Sequence, residues 1–151
     1  MNDQTELLSA TECSTVAEAL YELVQKYPMQ SGKPKVEFDA LGAKTSLAVF
    51  VLGGRYKQRY ISGGFTAEVN FGIAYKSSVT SSDQRIDRQE FVGEIVKWLE
   101  NEKDLPRLTD NRIITSIAAV GVPYKSDADD RNNETYAQDA VMEYRKKGMQ
   151  K

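Results

Sequence analysis

Apolar residues recur at helical spacing in two segments of the chain. Within residues 15–27 they lie three and four positions apart, which is the pattern of a helix that buries one face. Thr15 and Glu18 have the spacing of a capping box, in which each side chain accepts a hydrogen bond from a backbone N–H group at the start of a helix. We therefore predict a helix from Thr15 that ends before Pro28, because proline cannot continue a helix.

The second helical segment begins near Asp87. Asp87 and Glu90 again have capping-box spacing, and the apolar stripe that follows them is wide enough to cover a sheet. Trp98 lies on this stripe, so we expect it to pack in the core rather than to form a ligand site. Polar residues 101–104 and then Pro106 are expected to end the helix.

Six other segments show the alternation, or the β-branched and aromatic content, that is typical of strands. They are residues 36–40, 47–52, 55–62, 65–76, 112–122 and 135–145. Glycine pairs at 53–54 and 63–64 separate three of these segments, and we predict a hairpin turn at each pair because glycine adopts the positive φ of such turns. Residues 77–82 are predicted to form a linker and residues 125–134 a solvated loop.

The predicted order is one helix, four strands, one helix and two strands. Short connections favour antiparallel pairing of neighbouring strands. Each helix has one apolar face, which it can bury by packing against the sheet. The sequence therefore predicts an α+β fold, in which a two-layer domain has its helices packed on one face of a mixed, mainly antiparallel sheet. We treat residues 1–151 as a single domain and expect residues 1–14 and 146–151 to be flexible.

The titratable residues limit the chemistry that the chain can support. It has 20 Lys and Arg against 22 Asp and Glu, a formal net charge of −2, no histidine and one cysteine, Cys13. The lack of histidine excludes Ser-His-Asp and Cys-His catalysis and nearly all catalytic zinc sites, and one cysteine forms neither an internal disulfide nor a thiolate cage. We expect no enzyme activity, cofactor or metal, with a carboxylate-dependent enzyme or a small-ligand-binding module as the alternative.

Cellular location is predicted from the apolar content. Residues 1–14 lack the basic leader and apolar core of a signal peptide, and no apolar run is long enough to span a membrane. We therefore expect a protein that is made in a reducing cytoplasm and has no membrane contact, which agrees with a single unpaired cysteine.

Two groups of charged residues are candidate contact sites. In the first group, Arg55, Lys57 and Arg59 alternate with tyrosines in one predicted strand, a pattern found where single-stranded nucleic acid is bound. The negative net charge argues against an autonomous nucleic-acid-binding protein, because phosphate binding needs a basic excess. We therefore favour a protein interface or a solvated strand face for these three residues.

The second group is acidic and lies in the predicted loop, where Asp127, Asp129 and Asp130 precede Arg131. An EF-hand calcium loop starting at Asp127 would need glycine at its sixth position and glutamate at its twelfth, but the chain has asparagine and glutamine there. We interpret the group as part of a solvated loop, with protein contact as its candidate role.

Several short strings in a fixed order carry a family resemblance. They are KVEFDAL, TSLAVFVLGG, RYKQRYISGGF, the alternating Phe71, Ile73 and Tyr75, the helix end VKWLE, a Leu-Pro-x-Leu at 105–108 and a closing Met-Glu-Tyr-Arg at 142–145. Over residues 34–146 the chain resembles the small minor capsid proteins that are encoded in the head-tail junction region of long-tailed phages and prophages of Gram-positive bacteria.

The resemblance implies a tail-terminator-like α+β fold without catalytic residues. It further implies a homo-oligomeric ring, which we expect to be a hexamer, that caps the tail tube and contacts the tube protein and the head connector or stopper protein. DNA would pass through such a ring without specific binding. The protein would lie in the virion, at the head-tail junction, after assembly in the host cytoplasm. Another head-tail joining component of similar fold is the nearest alternative.

Within such a ring we expect both charged groups to lie at protein-protein contacts. The hairpin between residues 53 and 64 carries the basic group, the polar loop 125–134 carries the acidic group, and both are expected to project from the sheet. The candidate contact residues are Arg55, Lys57, Arg59, Asp127, Asp129, Asp130 and Arg131.

Overall fold

The computed structural model describes residues 6–28, 36–38, 46–101, 108–129 and 132–148. These residues form α1 (Ala10–Val24), β1 (Val36–Phe38), β2 (Ser46–Arg59), β3 (Phe65–Ser78), α2 (Ser82–Asn101), β4 (Arg112–Ala128) and β5 (Asn133–Lys146). The strands form one sheet in the order β1-β2-β3-β5-β4, with β1 and β2 parallel and the other neighbours antiparallel. The predicted α+β class with a mixed, mainly antiparallel sheet is confirmed.

The middle strand, β3, supplies one wall of the core. Its alternate residues from Phe65 to Tyr75 are buried, as a period of two requires, and β5 buries Tyr136, Met142 and Tyr144 as its pattern predicts. The two helices pack their apolar residues into the same cluster, α1 against β1 and β2, and α2 against β3, β5 and β4. The helices therefore form the second layer of the fold.

The predicted start of α1 at Thr15 is wrong, because the helix begins at Ala10 with Ser9 as its N-cap. The Ser9 hydroxyl accepts a hydrogen bond from the Glu12 backbone N–H at 3.1 Å. Ser9 and Glu12 have the same capping-box spacing as Thr15 and Glu18. The sequence therefore carries two start signals, and the helix uses the earlier one.

The start of α2 also precedes its predicted position at Asp87. The helix begins at Ser82, where the Ser81 hydroxyl accepts a hydrogen bond from the Gln84 backbone N–H at 3.3 Å. The Gln84 side chain in turn accepts a hydrogen bond, at 2.8 Å, from the backbone N–H of Thr80, the residue before the N-cap, so the arrangement resembles a capping box displaced by one residue. Residues 77–82 are not the predicted linker, because β3 ends and α2 begins within them.

The predicted turn at residues 53–54 is wrong, and β2 continues through it as one strand. Gly53 has a φ of +139° at a shift in the pairing register with β3, which is a β-bulge. A Cβ on Gly54 would lie 2.6 Å from the Leu8 side chain, so close packing accounts for the second glycine. The other predicted turn is confirmed, since Gly63, with a φ of +93°, lies in the turn that joins β2 and β3.

The loop predicted at residues 125–134 is wrong for most of its length, although residues 125–129 are exposed to solvent as predicted. β4 continues to Ala128 and β5 starts at Asn133, with Lys125 opposite Tyr136 in the antiparallel register. Polar residues can occupy these paired positions because the ladder is formed by backbone groups. The strand pairing therefore extends to Ala128 and Glu134, and residues 130–131 of the connection lie outside the described residues.

Some predictions concern residues that the structure does not describe. They include the end of the second helix at Pro106, residues 39–40 of the first predicted strand, and the parts of the predicted flexible ends at 1–5 and 149–151. Those predictions stay predictions.

Candidate protein-protein contact surfaces

The three basic candidates lie on the second half of β2, and each is paired with a glutamate. The pairs are Arg55 with Glu68, Lys57 with Glu143 and Arg59 with Glu6. Their side chains are partly exposed, so each pair adds little to stability. The carboxylates nevertheless neutralise the row of cations, which makes it a poor match for a phosphate-binding strand.

The acidic candidates organise the β4-β5 turn. The Asp129 carboxylate accepts hydrogen bonds from the Asn133 backbone N–H at 2.9 Å and from the Asn133 side-chain amide at 3.1 Å. Asp127 accepts one from the next backbone N–H at 2.9 Å. Asp130 and Arg131 lie outside the described residues. The two described aspartates therefore stabilise the turn in the isolated chain.

The basic and acidic groups lie at different places on the sheet. Glu143, the partner of Lys57, and Glu134, which lies opposite Ala128, are near opposite ends of β5. At a strand rise of about 3.3 Å per residue these two glutamates are roughly 30 Å apart. The structure therefore does not bring the two predicted groups into one site.

The β2-β3 turn, residues 60–64, presents an apolar hairpin tip. Ile61 is fully exposed, and Tyr60 is 37% exposed. The turn is closed by two backbone hydrogen bonds, from Tyr60 N–H to Gly64 at 2.9 Å and from Gly63 N–H to Tyr60 at 3.0 Å. The Arg145 guanidinium lies 5.8 Å from the centre of the Tyr60 ring. The hairpin tip is therefore an apolar projection on a defined backbone, beside the basic end of β5.

The outer edge of β4 is long and carries no charge over most of its length. Among the described strands, β4 pairs only with β5, and residues 113–124 contain no charged side chain. Val120, Val122 and Tyr124 are 52%, 74% and 43% exposed. Edge strands are usually protected by charged residues against pairing with other chains. This stretch of β4 has no charged residue, and its protection is limited to the bulge around Gly121 and Pro123.

A bulge in the middle of β4 explains why its proline does not end the strand. The register with β5 shifts between Val120 and Tyr124, and Gly121 has a φ of +73°. The buried Gln138 side chain donates to the carbonyls of Val120 and Gly121 at 3.3 and 3.4 Å. Pro123 lies within the shifted stretch, where a missing backbone donor is tolerated.

An apolar groove of about 440 Å³, which we call the α1 groove, lies between α1 and the β1-β2 side of the sheet. Its lining residues are Cys13, Ser14, Ala17, Glu18, Tyr21, Phe38 and Val51. Cys13, Ala17 and Tyr21 follow one another at four-residue spacing and so form one row along the helix. The Tyr21 and Phe38 rings meet with their centres 5.9 Å apart. The walls are therefore apolar, and Glu18 provides a charge at the rim.

Trp98 packs against the core but is only partly buried, which corrects its predicted place within the core. Its ring meets the Tyr27 ring edge-on at 5.5 Å. The two rings border a surface depression of about 370 Å³ between the end of α1 and α2, together with Glu94 and Lys97.

A buried ion pair between α1 and β4 is the main feature that sequence reasoning missed. Arg112 donates from Nε and Nη2 to the two carboxylate oxygens of Glu12, at 2.8 and 2.6 Å, and the Tyr144 hydroxyl donates to the same carboxylate at 2.7 Å. Burial acts to raise the pKa of Glu12, but the donors from Arg112 and Tyr144 hold that pKa below its usual value. Burial and the hydrogen bond to Glu12 raise the pKa of Tyr144. Glu12 lies four residues before the buried Val16, so the two side chains share one face of α1. This position on the apolar face is the sequence signal that could have indicated a buried carboxylate.

A second arginine-glutamate-tyrosine cluster joins α2 to the start of β5. Arg85 donates from Nε to both carboxylate oxygens of Glu134, at 3.1 and 3.2 Å, and the Tyr136 hydroxyl donates to the same carboxylate. The hydrogen bond from Arg85 lowers the pKa of Glu134, and burial together with Glu134 raises the pKa of Tyr136 to about 12. In both clusters the carboxylate is bonded within the fold.

Two further observations concern ligands and relatives. Within the part of the chain that the structure describes, no group of three or more metal-binding side chains could hold an ion, and no helix is long and apolar enough to cross a membrane. Comparison of the sequence with models of known protein families and with curated proteins finds no match. A function is therefore inferred from the contact surfaces.

Proposed function

We propose that the protein is a structural component of a phage virion, a tail terminator that assembles with copies of itself on the end of the tail tube and joins the tube to the head connector. The observation that carries the proposal is the uncharged edge of β4. Residues 113–124 of this 17-residue strand carry no charged side chain, and an edge without charge can pair with other chains. The bulge at Gly121 and Pro123 interrupts the edge towards its end, so the regular part that can pair is residues 113–120. A protein that keeps such an edge is expected to cover it in an assembly.

The kind of assembly comes from the family resemblance of residues 34–146. Tail terminators are rings between a tube and a head, so the proposed partners are further copies of the chain, the tube protein and the head connector or stopper protein. DNA passes through such a ring and must not be held by it. The pairing of Arg55, Lys57 and Arg59 with glutamates and the net charge of −2 support this non-binding role.

The carboxylates support a structural rather than a catalytic role. A catalytic acid or base must reach a substrate, usually from a cleft. Glu12 and Glu134, the buried carboxylates among the described residues, are instead bonded to arginines and tyrosines that join helices to strands.

Deletion of the gene from a phage that carries it tests the proposal. Without a terminator, the growing tube is not capped, so we expect electron micrographs of lysates to contain overlong tubes and heads without tails. A plasmid copy of the gene is the control, and it is expected to restore normal tails and infectivity. Tails of normal length joined to heads in the deletion lysate would contradict the proposal.

A further inference from the structure

We infer that the hairpin tip of one copy docks into the α1 groove of a second copy of the chain. The inference rests on the proposed function, and it identifies one contact between neighbouring copies. Two apolar surfaces are left uncovered by the residues that the structure describes. Ile61 projects fully into solvent, and the α1 groove is open between Tyr21, Phe38 and Val51.

The hairpin tip is suited to fill a pocket. Turn positions favour glycine, asparagine, aspartate and serine, so the turn itself has no need of isoleucine at position 61. Backbone hydrogen bonds between Tyr60, Gly63 and Gly64 already fix the turn. A side chain on a fixed backbone loses little conformational entropy when it is buried, which favours its use as an anchor.

The α1 groove matches the hairpin tip in size and polarity. Its volume of about 440 Å³ lies in the range of pockets that bury whole ligands, so it can accept the Ile61 side chain and part of the Tyr60 ring. The row of Cys13, Ala17 and Tyr21 offers apolar contact along one wall.

Charges of opposite sign flank the two surfaces. α1 contains three glutamates and no basic residue. Glu12 is buried against Arg112, whereas Glu18 and the next residue in its row, Glu22, are exposed. Beside the hairpin tip, Arg145 and Lys147 are exposed, and neither forms an ion pair with a described carboxylate. Such complementary charges favour the correct pairing of surfaces and speed association.

A hairpin tip that fills the α1 groove must come from another chain. Val51 in the α1 groove and Arg59 next to the hairpin tip lie on the same strand, roughly 25 Å apart at the usual rise per residue. The tip and the groove are therefore different surfaces, and a contact between them is heterologous. Contacts of this kind repeat from copy to copy. They form a closed ring when the rotation that relates neighbouring copies divides a full turn evenly.

The contact is too small to hold a ring alone, because stable interfaces bury about 1,000 Å² or more. The test therefore traps the contact covalently. In Ser62→Cys the new thiol lies on the hairpin tip, and the native Cys13 lies in the α1 groove. A disulfide needs Cα atoms less than about 7 Å apart, so the bond reports docking of the tip.

The purified full-length variant is oxidised with diamide at high concentration and run on a non-reducing gel. We expect a ladder of dimers, trimers and larger species, because each chain carries one thiol on each surface. Ser82→Cys, at the exposed start of α2, is the matched control, and we expect at least about tenfold less crosslinked product from it, because docking raises the local concentration of thiols. Adding Cys13→Ser to Ser62→Cys is expected to stop the ladder at dimers.

Equal crosslinking in Ser62→Cys and Ser82→Cys would overturn the inference. So would a tail-assembly lysate in which Ser62→Cys is joined to a different virion protein instead of to itself. The proposed function is tested separately by the deletion phenotype. If Ser62→Cys forms the ladder but the gene deletion gives tails of normal length, only the proposed function is contradicted. If the deletion gives overlong tails but Ser62→Cys forms no ladder, only the docking is contradicted.

Discussion

The Glu12 carboxylate lies where α1, β4 and β5 meet. Arg112 and Tyr144 reach it from two strands, so a single side chain fixes the start of α1 against the sheet. With 7% and 10% of the Glu12 and Arg112 side chains exposed, removal of either partner leaves a charge in an apolar setting. Because α1 also forms one wall of the α1 groove, this ion pair holds that wall in position.

Replacement of Arg112 is therefore expected to destabilise the fold strongly. We expect Arg112→Met to lower the free energy of unfolding by about 3 kcal/mol, because the Glu12 carboxylate loses its partner and cannot regain water. Urea denaturation followed by circular dichroism measures the change. The matched control removes the whole cluster with Glu12→Leu, Arg112→Met and Tyr144→Phe, and it is expected to recover most of the loss. A single variant within about 0.5 kcal/mol of wild type, the usual range of a surface substitution, would contradict a structural role for the pair.

The same ion pair makes stability depend on pH. The pKa of Glu12 is lower in the folded chain than in the unfolded chain, so its contribution is complete above the unfolded pKa and is lost as the pH falls through the folded pKa. We expect the melting temperature of wild type to fall as the pH drops below 4.5, the usual pKa of glutamate, and to fall less steeply in Glu12→Gln. Equal slopes for the two proteins would contradict the assignment. The chain has no histidine, so no side chain of that type adds a transition near neutral pH.

At the scale of elements, local patterns predict which face of a strand is buried better than they predict where helices and strands begin and end. The period of two in β5 places its buried face correctly, because a one-residue shift would expose every core side chain. Each helix has two candidate capping signals, and the choice of Ser9 over Thr15 depends on Glu12 meeting Arg112, which is distant in the sequence. The bulge at Gly53 likewise involves a distant segment, because it is a shift in the pairing of β2 with β3.

The sequence also predicts the composition of the contact surfaces better than their surroundings in the fold. The sequence identifies the charged rows but not their partners, since the glutamates that neutralise them lie on other segments. It also identifies the polarity of residues 113–124 but not that β4 is the last strand of the sheet. Strand order is set by pairings between distant segments, which local patterns do not predict. The α1 groove also lies between distant segments, so it cannot be predicted from the sequence pattern either.

The edge of β4 gives a prediction at this scale. Val122 is 74% exposed, so Val122→Lys is expected to change the free energy of unfolding by less than about 0.5 kcal/mol. In an assembly that covers the edge, the lysine would be buried without a partner, and we expect phage titre in complementation of the deletion to fall by about tenfold or more. Ile86→Lys, at a residue 56% exposed on α2, is the matched control and is expected to complement normally. Equal titres for the two variants would show that this edge stays open in the particle.

At the scale of the whole molecule, the proposed contact surfaces lie on opposite sides of the sheet. The α1 groove lies on the β1-β2 side, and β4 is at the opposite edge among the described strands, which is compatible with the proposed ring. The hairpin tip projects from the end of β2 and β3. Different surfaces on opposite sides give heterologous contacts, which build closed rings or filaments rather than isolated dimers.

A cryo-electron microscopy reconstruction of the head-tail junction in intact particles tests the central claim most directly. It is expected to contain several copies of this chain arranged around the tail axis at the head-proximal end of the tube, with the hairpin tip of each copy in the α1 groove of its neighbour. Absence of the chain from the particle, or its location elsewhere, such as the distal tail tip, would contradict the account.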